Sequence, residues 1–243
     1  MVGSPVAGPA PAPRVAALFS DAAAFDWHGP DVEAALHPAE RPLVARAVDG
    51  RRRHFAAGRA CARAALASLG IESGPILRRA LRDPRWPHPA TGSISHCDGY
   101  AVAAVRRTAG RALELGIDAE LVGRVTPALH PRLFRPEERA WLATLDPTAG
   151  PLVVTALFGA KEAFYKAQFP ITGAWVGFED VSSRRVDDLT FELVPATDLA
   201  VLSAVRWPVT ARAVISGGVA GSLAVVGVEV EPAGGDPTRP IGS

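Results

Sequence analysis

The sequence predicts an α+β fold of two halves similar in size, and three observations lead to this prediction. The chain has 243 residues, enough for one large domain or two small ones. Each half contains long helix-like stretches together with several short strand-like ones. We find no internal sequence repeat, and we place the halves at residues 15–112 and 113–230. Residues 1–14 and 231–243 are rich in proline, glycine and alanine, which predicts disordered tails.

Composition argues against several classes of protein. The hydrophobic fraction of 48% and the net charge of +1 are ordinary for a globular chain. A general binder of nucleic acid or membrane surfaces is usually more basic, so any phosphate binding must come from a local arginine cluster. Two cysteines, Cys61 and Cys97, lack zinc-site spacing and are too few for a disulfide framework, which favours a cytoplasmic location. The apolar stretch 214–228 is interrupted by glycines, so it predicts a hairpin and not a membrane span.

Helical periodicity and turn residues predict the elements of the first half. A helical pattern covers residues 38–48, and a long helix runs from about 51 to 69 and ends at Gly70. Two short strands at 92–95 and 100–105 follow, joined by a turn that contains Asp98-Gly99.

The second half begins with a strand of alternating character at residues 113–121. The pattern then predicts helices at 136–145 and 151–168, followed by strands near 178–181, 189–193, 211–215 and 222–230.

An acidic pair on the predicted strand 113–121 is the first candidate site. Asp118 and Glu120 are two residues apart, so both side chains lie on one face of the strand, and Gly116 on the same face leaves room for a ligand. Two carboxylates this close repel each other unless a cation lies between them, and Mg²⁺ prefers carboxylates and phosphate oxygens. A solvated strand face is the commoner explanation for an isolated Asp-x-Glu pattern.

A glutamate on the second long helix lies between the only two lysines of the chain. Of 26 basic residues, only Lys161 and Lys166 are lysine, and both are close to Glu162. An exposed Glu162–Lys166 pair four residues apart would explain the pattern without any function. Gly159 in the middle of the helix costs about 1 kcal/mol relative to alanine, which indicates close approach of another segment or a ligand.

A basic series in the first half is the second candidate site. Arg51 and Arg59 lie on one stripe of the predicted helix, and Arg78 adds charge in the loop that follows. Arginine forks suit phosphate recognition, although a solvated helix face has the same pattern. Ser95 and His96 end a strand at a tight turn, where hydroxyl, imidazole and backbone amides can bind an anion, although ordinary turn chemistry accounts for them equally well.

The order of these motifs resembles the 4′-phosphopantetheinyl transferases of the Sfp type, closest to the enterobactin-synthase-component and actinobacterial branch. The resemblance covers about residues 35–181. Its most specific parts are Gly-Ile-Asp-x-Glu at 116–120 and Lys-Glu-Ala-x-x-Lys at 161–166. The other matching stretches are residues 51–63, 86–87, 92–97 and 134–139, and the helix motif extends over 158–167.

The resemblance implies a fold with a pseudo-twofold relation between the halves and an active site at their junction. It implies transfer of the phosphopantetheine group from coenzyme A to a serine of an acyl or peptidyl carrier protein, with release of adenosine 3′,5′-bisphosphate. Mg²⁺, or Mn²⁺ in its place, would be held by Asp118, Glu120 and Glu162, with Glu162 and Lys166 as the catalytic pair. The coenzyme A phosphates would contact Arg51, Arg59, Arg78, Ser95, His96, Lys161 and Lys166.

Two other functions are compatible with the residues taken singly. A metal-dependent nuclease also combines carboxylates with lysine, but it usually needs a basic groove. A non-catalytic module that binds carrier proteins would have no need for the carboxylates. We expect a monomer without nucleic-acid or membrane partners, and we regard the apolar residues Phe134, Phe169 and Trp175 as a candidate docking surface or as core.

Overall fold

Two antiparallel sheets organise the protein. The computed structural model describes residues 8–29, 36–79, 83–108, 113–218 and 221–234. The first sheet has the strand order β1-β2-β4-β3 and belongs to the first half of the chain. Its strands are β1 (Ala10–Pro11), β2 (Ala23–His28), β3 (Ala90–Cys97) and β4 (Tyr100–Arg107).

The first sheet is covered on one face by helix α2 (Asp49–Ser68). The side of α2 that faces the sheet is made of small residues such as Ala57, Cys61 and Ala65, which let the helix lie close to the sheet. The helix ends at Leu69, and Gly70 follows with φ +65°, a left-handed conformation that favours glycine. A short helix α1 (Pro13–Ala16) precedes β2.

The second sheet has five strands in the order β5-β9-β8-β7-β6. One face carries the long helix α5 (Gly150–Thr172), which ends at Gly173 with φ +63°. The two short helices before α5 are α3 (His130–Leu133) and α4 (Pro136–Leu142). The strands are β5 (Glu114–Leu121), β6 (Val181–Asp187), β7 (Thr190–Pro195), β8 (Val209–Gly218) and β9 (Gly221–Val230).

The uncovered faces of the two sheets pack together, which gives four layers in the order α2, first sheet, second sheet, α5. Alternation along the strands produces this stacking, since Val102 of β4 and Ile117 of β5 lie in the shared core between the sheets. Their neighbours Ala103 and Asp118 point the other way, Ala103 into the core with α2 and Asp118 towards α5. The even-numbered residues of β5 are thereby presented to α5.

The α+β fold of two similar halves is confirmed, because each half packs one long helix on an antiparallel sheet. This shared plan fits the pseudo-twofold relation that the resemblance implies, although the sheets differ in strand number. The long helices and the two hairpins β3-β4 and β8-β9 are confirmed within a few residues. The helix predicted at 38–48 is a 3₁₀ helix, Pro38–Val44, and β1, β2 and α1 were missed.

The predicted disordered tails need correction at their inner ends. Ala12 and Val15 are buried, and Ala12 N–H donates to Ala24 C=O, so residues 10–12 join the first sheet. At the other end, Pro232 forms a bridge with Val205. Residues 1–7 and 235–243 lie outside the described residues. Within the part of the chain that is described, none of the helices is long and apolar enough to cross a membrane.

Candidate active site

The site lies where β3 of the first sheet meets β5 of the second. The two strands are joined by hydroxyl side chains in place of a backbone ladder. Ser93 Oγ accepts a hydrogen bond from Ile117 N–H at 3.1 Å, and Ser95 Oγ accepts one from Ala119 N–H, also at 3.1 Å. Thr91 Oγ1 adds a bond to the buried Glu114 carboxylate. This row of hydroxyls sets the position of β5, and with it the acidic pair, relative to the first half.

Asp118 is the most extensively bonded carboxylate of the site. Its Oδ1 accepts from Ser95 Oγ at 2.9 Å and from Lys166 Nζ at 2.7 Å. Lys166 Nζ also donates to Ile117 C=O at 2.9 Å and contacts Ser95 Oγ at 3.2 Å. Lys166 therefore pairs with the strand carboxylate, and not with Glu162 on its own helix as the simplest interpretation of the sequence suggested.

Two glycines let β5 and α5 approach closely enough for these bonds. A Cβ at Gly116 would lie 1.8 Å from Ala163 O of the helix backbone, so only glycine fits there. The space at Gly116 is filled by α5, which corrects the expectation that it admits a ligand. A Cβ at Gly159 would lie 2.7 Å from Val226 Cγ2 and 3.6 Å from Asp118 Oδ2, which confirms the predicted close approach.

Glu162 and Glu120 complete the acidic group. Burial, reinforced by the charge of Asp118, raises the pKa of Glu162, while Lys166 lowers it. Burial also raises the pKa of Glu120, whose Oε1 accepts from Leu121 N–H at 2.8 Å. The negative charges of these carboxylates repel each other, and a divalent cation bound between them would remove that repulsion. Among the described residues, however, no three Asp, Glu, His or Cys side chains are arranged to hold an ion, and Lys166 takes the cationic role beside Asp118.

A basic group lies on the other side of Ser95, at the start of α2. Arg51 is exposed, and its Nη1 lies 3.1 Å from His96 Nε2. His54 stacks on His96 with ring centroids 5.0 Å apart and an interplanar angle of 27°. Burial, followed by the charge of Arg51, lowers the pKa of His96 to about 4. The structure thus brings Arg51 and His96 together as predicted, and it adds His54, which the sequence analysis did not single out.

Two of the predicted phosphate-binding residues have different positions from those expected. Arg59 is buried, donates from Nε to Ile76 C=O at 2.8 Å, and stacks on Phe55 with its Cζ 4.5 Å from the ring centroid. Arg78 lies over the same ring at 5.1 Å. Because its side chain is enclosed, Arg59 does not reach the surface. It packs against Phe55, which in turn contacts Arg78. The Ser95 hydroxyl donates to Asp118 and accepts from Ala119 N–H of β5.

Lys161, predicted to contact the phosphates, lies in the interior of the second half. Lys161 is 3% exposed, and its Nζ donates to Glu138 Oε2 at 2.7 Å, Phe178 C=O at 2.8 Å and Val181 C=O at 3.0 Å. All three N–H groups of the ammonium are used, and the buried Glu138 also accepts from Ser183 N–H at 2.8 Å. Lys161 thus joins α5 to α4 and β6 in the interior.

An apolar pocket opens beside Glu162. Its walls include Tyr165, Trp175 and Phe178, and the rings of Tyr165 and Trp175 lie 4.7 Å apart. Trp175 is 74% exposed, whereas Phe134 is buried in the core, so only part of the candidate docking surface is at the surface. The pocket gives the acidic group an apolar neighbour that an extended ligand could occupy.

Comparison with known proteins identifies the family. The model of the 4′-phosphopantetheinyl transferase N-terminal domain matches residues 39–106, and that of the 4′-phosphopantetheinyl transferase superfamily matches residues 114–215. The transferase PptT of Mycobacterium tuberculosis is 41% identical over 180 residues, which are 74% of this chain and 76% of that protein. The chain belongs to the 4′-phosphopantetheinyl transferase superfamily.

Two further relatives represent both branches of the resemblance. The 4′-phosphopantetheinyl transferase Npt of Nocardia iowensis is 41% identical over 65% of this chain and 67% of that protein. Enterobactin synthase component D of Salmonella typhimurium is 34% identical over 60% of this chain and 61% of that protein. As a member of this family, the protein transfers the 4′-phosphopantetheine group of coenzyme A to a carrier protein. This identification replaces the nuclease and the non-catalytic binding module as alternatives.

Proposed function

We propose that this transferase catalyses phosphopantetheine transfer at a site between β5 and α5, and that Glu162 is the base. The observation that carries the proposal is the position of Glu162. Its carboxylate has no hydrogen-bond partner among the described residues, and it borders both the apolar pocket and the group of Asp118 and Lys166. A carboxylate with a raised pKa is better matched to accepting a proton near neutral pH than an exposed one.

The reaction requires one bond to form and one to break. The carrier serine Oγ attacks the β-phosphorus of coenzyme A, and the bond from that phosphorus to the bridging oxygen of the pyrophosphate breaks. Glu162 accepts the serine proton, and adenosine 3′,5′-bisphosphate leaves with the bridging oxygen. Lys166, whose ammonium already lies among the oxygens of Asp118, Ser95 and Ile117, is placed to balance negative charge on the leaving group.

The donor set of Asp118, Glu120 and Glu162 fits Mg²⁺ in chemistry, since all three supply hard carboxylate oxygens. When bound, the ion would neutralise charge on the pyrophosphate. The Lys166 ammonium lies 2.7 Å from Asp118 Oδ1 and balances the charge of this buried carboxylate.

The two sides of the site suggest where coenzyme A lies. Arg51 and His96, with Arg78 above Phe55, form the basic side and would hold the phosphates of the adenosine end. The apolar surface formed by Tyr165 and Trp175 would contact the apolar, amide-containing arm. This arrangement places the pyrophosphate between the two, beside Asp118 and Lys166.

We further propose that the transferase acts as a monomer on acyl or peptidyl carrier proteins, because a single chain supplies both sides of the site. Cys61 and Cys97 are free and buried, which supports a reduced, cytoplasmic compartment.

The test is the loading of an apo carrier protein with coenzyme A and Mg²⁺, followed by mass spectrometry. We expect Glu162→Ala to lose at least about 100-fold in rate, in line with the loss of a positioned base. Glu72→Ala serves as the matched control, since Glu72 is an exposed glutamate in the loop after α2. A Glu162→Ala enzyme that loads the carrier at the wild-type rate would contradict the assignment.

A further inference from the structure

We propose that His54 belongs to the phosphate site with Arg51 and His96, and that the 3′-phosphate of coenzyme A is bound there together with a proton taken up by His96. The inference rests on the proposed placement of coenzyme A and assigns a new positioning residue and a protonation step to it. It follows from the hydrogen-bond pattern of three side chains on α2 and β3.

The first step of the argument concerns the proton on His96. Arginine has only N–H donors, so the contact of 3.1 Å between Arg51 Nη1 and His96 Nε2 requires Nε2 to be the acceptor. An accepting Nε2 carries no proton, so His96 is neutral without ligand. The lowering of its pKa by burial and by Arg51 agrees with this hydrogen bond.

The second step concerns what a phosphate does to this bond. Arg51 is exposed and is a strong donor to phosphate oxygens, so an incoming dianion would take its N–H groups. His96 Nε2 would then direct a lone pair at an anionic oxygen, which is repulsive. A proton from solvent converts Nε2 into a charged donor, and the repulsion becomes a charge-assisted hydrogen bond.

The charges around His96 decide how far its ring takes up a proton. Arg51, the charged form of His54 and Lys166 oppose protonation of the ring, and Asp118 favours it. The ring of His54 stacks on His96, and burial keeps the pKa of His54 low despite the charge of Asp98. Arg51 and Arg53 act in the same direction on His54. The dianionic phosphate adds two negative charges, which outweigh the repulsion between His96 and its cationic neighbours.

His54 fixes the plane of the ring that takes up the proton. It lies on α2 three residues after Arg51 and contacts His96 face to face. A neutral His54 can support an imidazolium at His96, whereas two stacked imidazoliums would repel each other. One proton per phosphate is therefore the upper limit of the uptake.

The experiment is calorimetric titration of the full chain at pH 7.5 in buffers of different ionisation enthalpy, with coenzyme A and with dephospho-coenzyme A. We expect coenzyme A to bind with uptake of about 0.5–1 proton and dephospho-coenzyme A with none at this site. His96→Gln keeps an N–H donor that does not titrate, so it should bind coenzyme A without this uptake. His54→Ala should weaken coenzyme A binding about 3–10-fold and leave dephospho-coenzyme A unchanged. His54→Phe, which retains an aromatic ring, should restore affinity and proton uptake.

Each outcome bears on a separate statement. Equal proton uptake with both ligands, or full uptake by His96→Gln, would overturn the proton-linked recognition. Unchanged coenzyme A affinity in a folded His54→Ala variant would overturn the role of His54. A folded wild-type protein that binds neither ligand would instead overturn the proposed coenzyme A site itself, and the inference with it.

Discussion

The acidic and basic sides of the active site differ in how they are held. On the acidic side, Asp118 is buried and receives bonds from Ser95 on β3 and Lys166 on α5, so both halves of the molecule fix it. On the basic side, Arg51 is exposed and its side chain has a hydrogen bond to His96 at 3.1 Å. The acidic side is preorganised for the reaction. On the basic side, Arg51 can exchange its hydrogen bond to His96 for one to a phosphate. A site that must release its nucleotide product benefits from this division.

The two lysines of α5 allow this comparison to be tested most directly, because one lies in the core and one in the site. Lys161→Met should destabilise the protein by about 3–5 kcal/mol, since it leaves the Glu138 carboxylate buried without its cation. Lys166→Met should cost only about 1–2 kcal/mol of stability. It should nevertheless lower the rate of carrier loading by about 100-fold, because Lys166 balances charge at Asp118.

Urea unfolding and carrier loading, measured on both variants, separate these effects. The double variant Lys161→Met/Glu138→Gln removes the buried charge as well as its partner and should recover part of the stability. Equal losses of stability in the two single variants would show that Lys166 is as structural as Lys161.

The hydroxyl row between β3 and β5 gives a second, smaller test. Ser93→Ala and Ser95→Ala each leave a buried N–H of β5 without its acceptor, so each should cost about 1–3 kcal/mol. Only Ser95→Ala also removes a donor to Asp118, so it alone should reduce kcat, by about tenfold. Parallel measurement of stability and kcat distinguishes the two serines, and an equal kcat in both variants would contradict the orienting role of Ser95.

The basic side should appear in the pH dependence of stability, which is the smallest expected effect. The pKa of His96 falls from 6.5 to about 4 on folding, so the unfolded chain binds more protons between these values. Its contribution to stability is complete above pH 6.5 and is lost as the pH falls towards 4. Between pH 7.5 and 5.5, wild type should lose about 1 kcal/mol more than His96→Gln in urea unfolding. If the wild type loses no more unfolding free energy than the variant over this pH range, His96 is not held neutral by burial in the folded protein.

Local patterns were sufficient for the main elements and for part of the site. The period of two along β5 correctly places Asp118 and Glu120 on one face, and the mid-helix Gly159 correctly indicates a close approach. The strand β2 was missed although Phe25-Asp26-Trp27-His28 alternates between apolar and polar residues, since the run is short and its pairing with β4 is not visible in the local sequence. Pairing of this kind is decided by the partner strand, which a local window does not include.

The comparison of the two lysines shows where sequence reasoning ended. Both were assigned to the phosphates by the family resemblance, since both belong to the Lys-Glu-Ala-x-x-Lys motif at 161–166. They are five residues apart, which at 3.6 residues per turn separates their directions by about 140°, so one side chain enters the core and the other faces the site. Which of them is buried depends on Glu138, a residue 23 positions earlier in the chain.

The sequence by itself determined the family, the α+β class, the acidic pair on one strand and the basic series that precedes it. Motif order and residue periodicity are local properties, and they carry this information without any knowledge of contacts. The tertiary structure alone decided that Lys166 pairs with Asp118, that Lys161 and Arg59 are interior, and that His54 stacks on His96. These contacts join residues 17 to 48 positions apart in the chain, so tertiary packing is what brings them together.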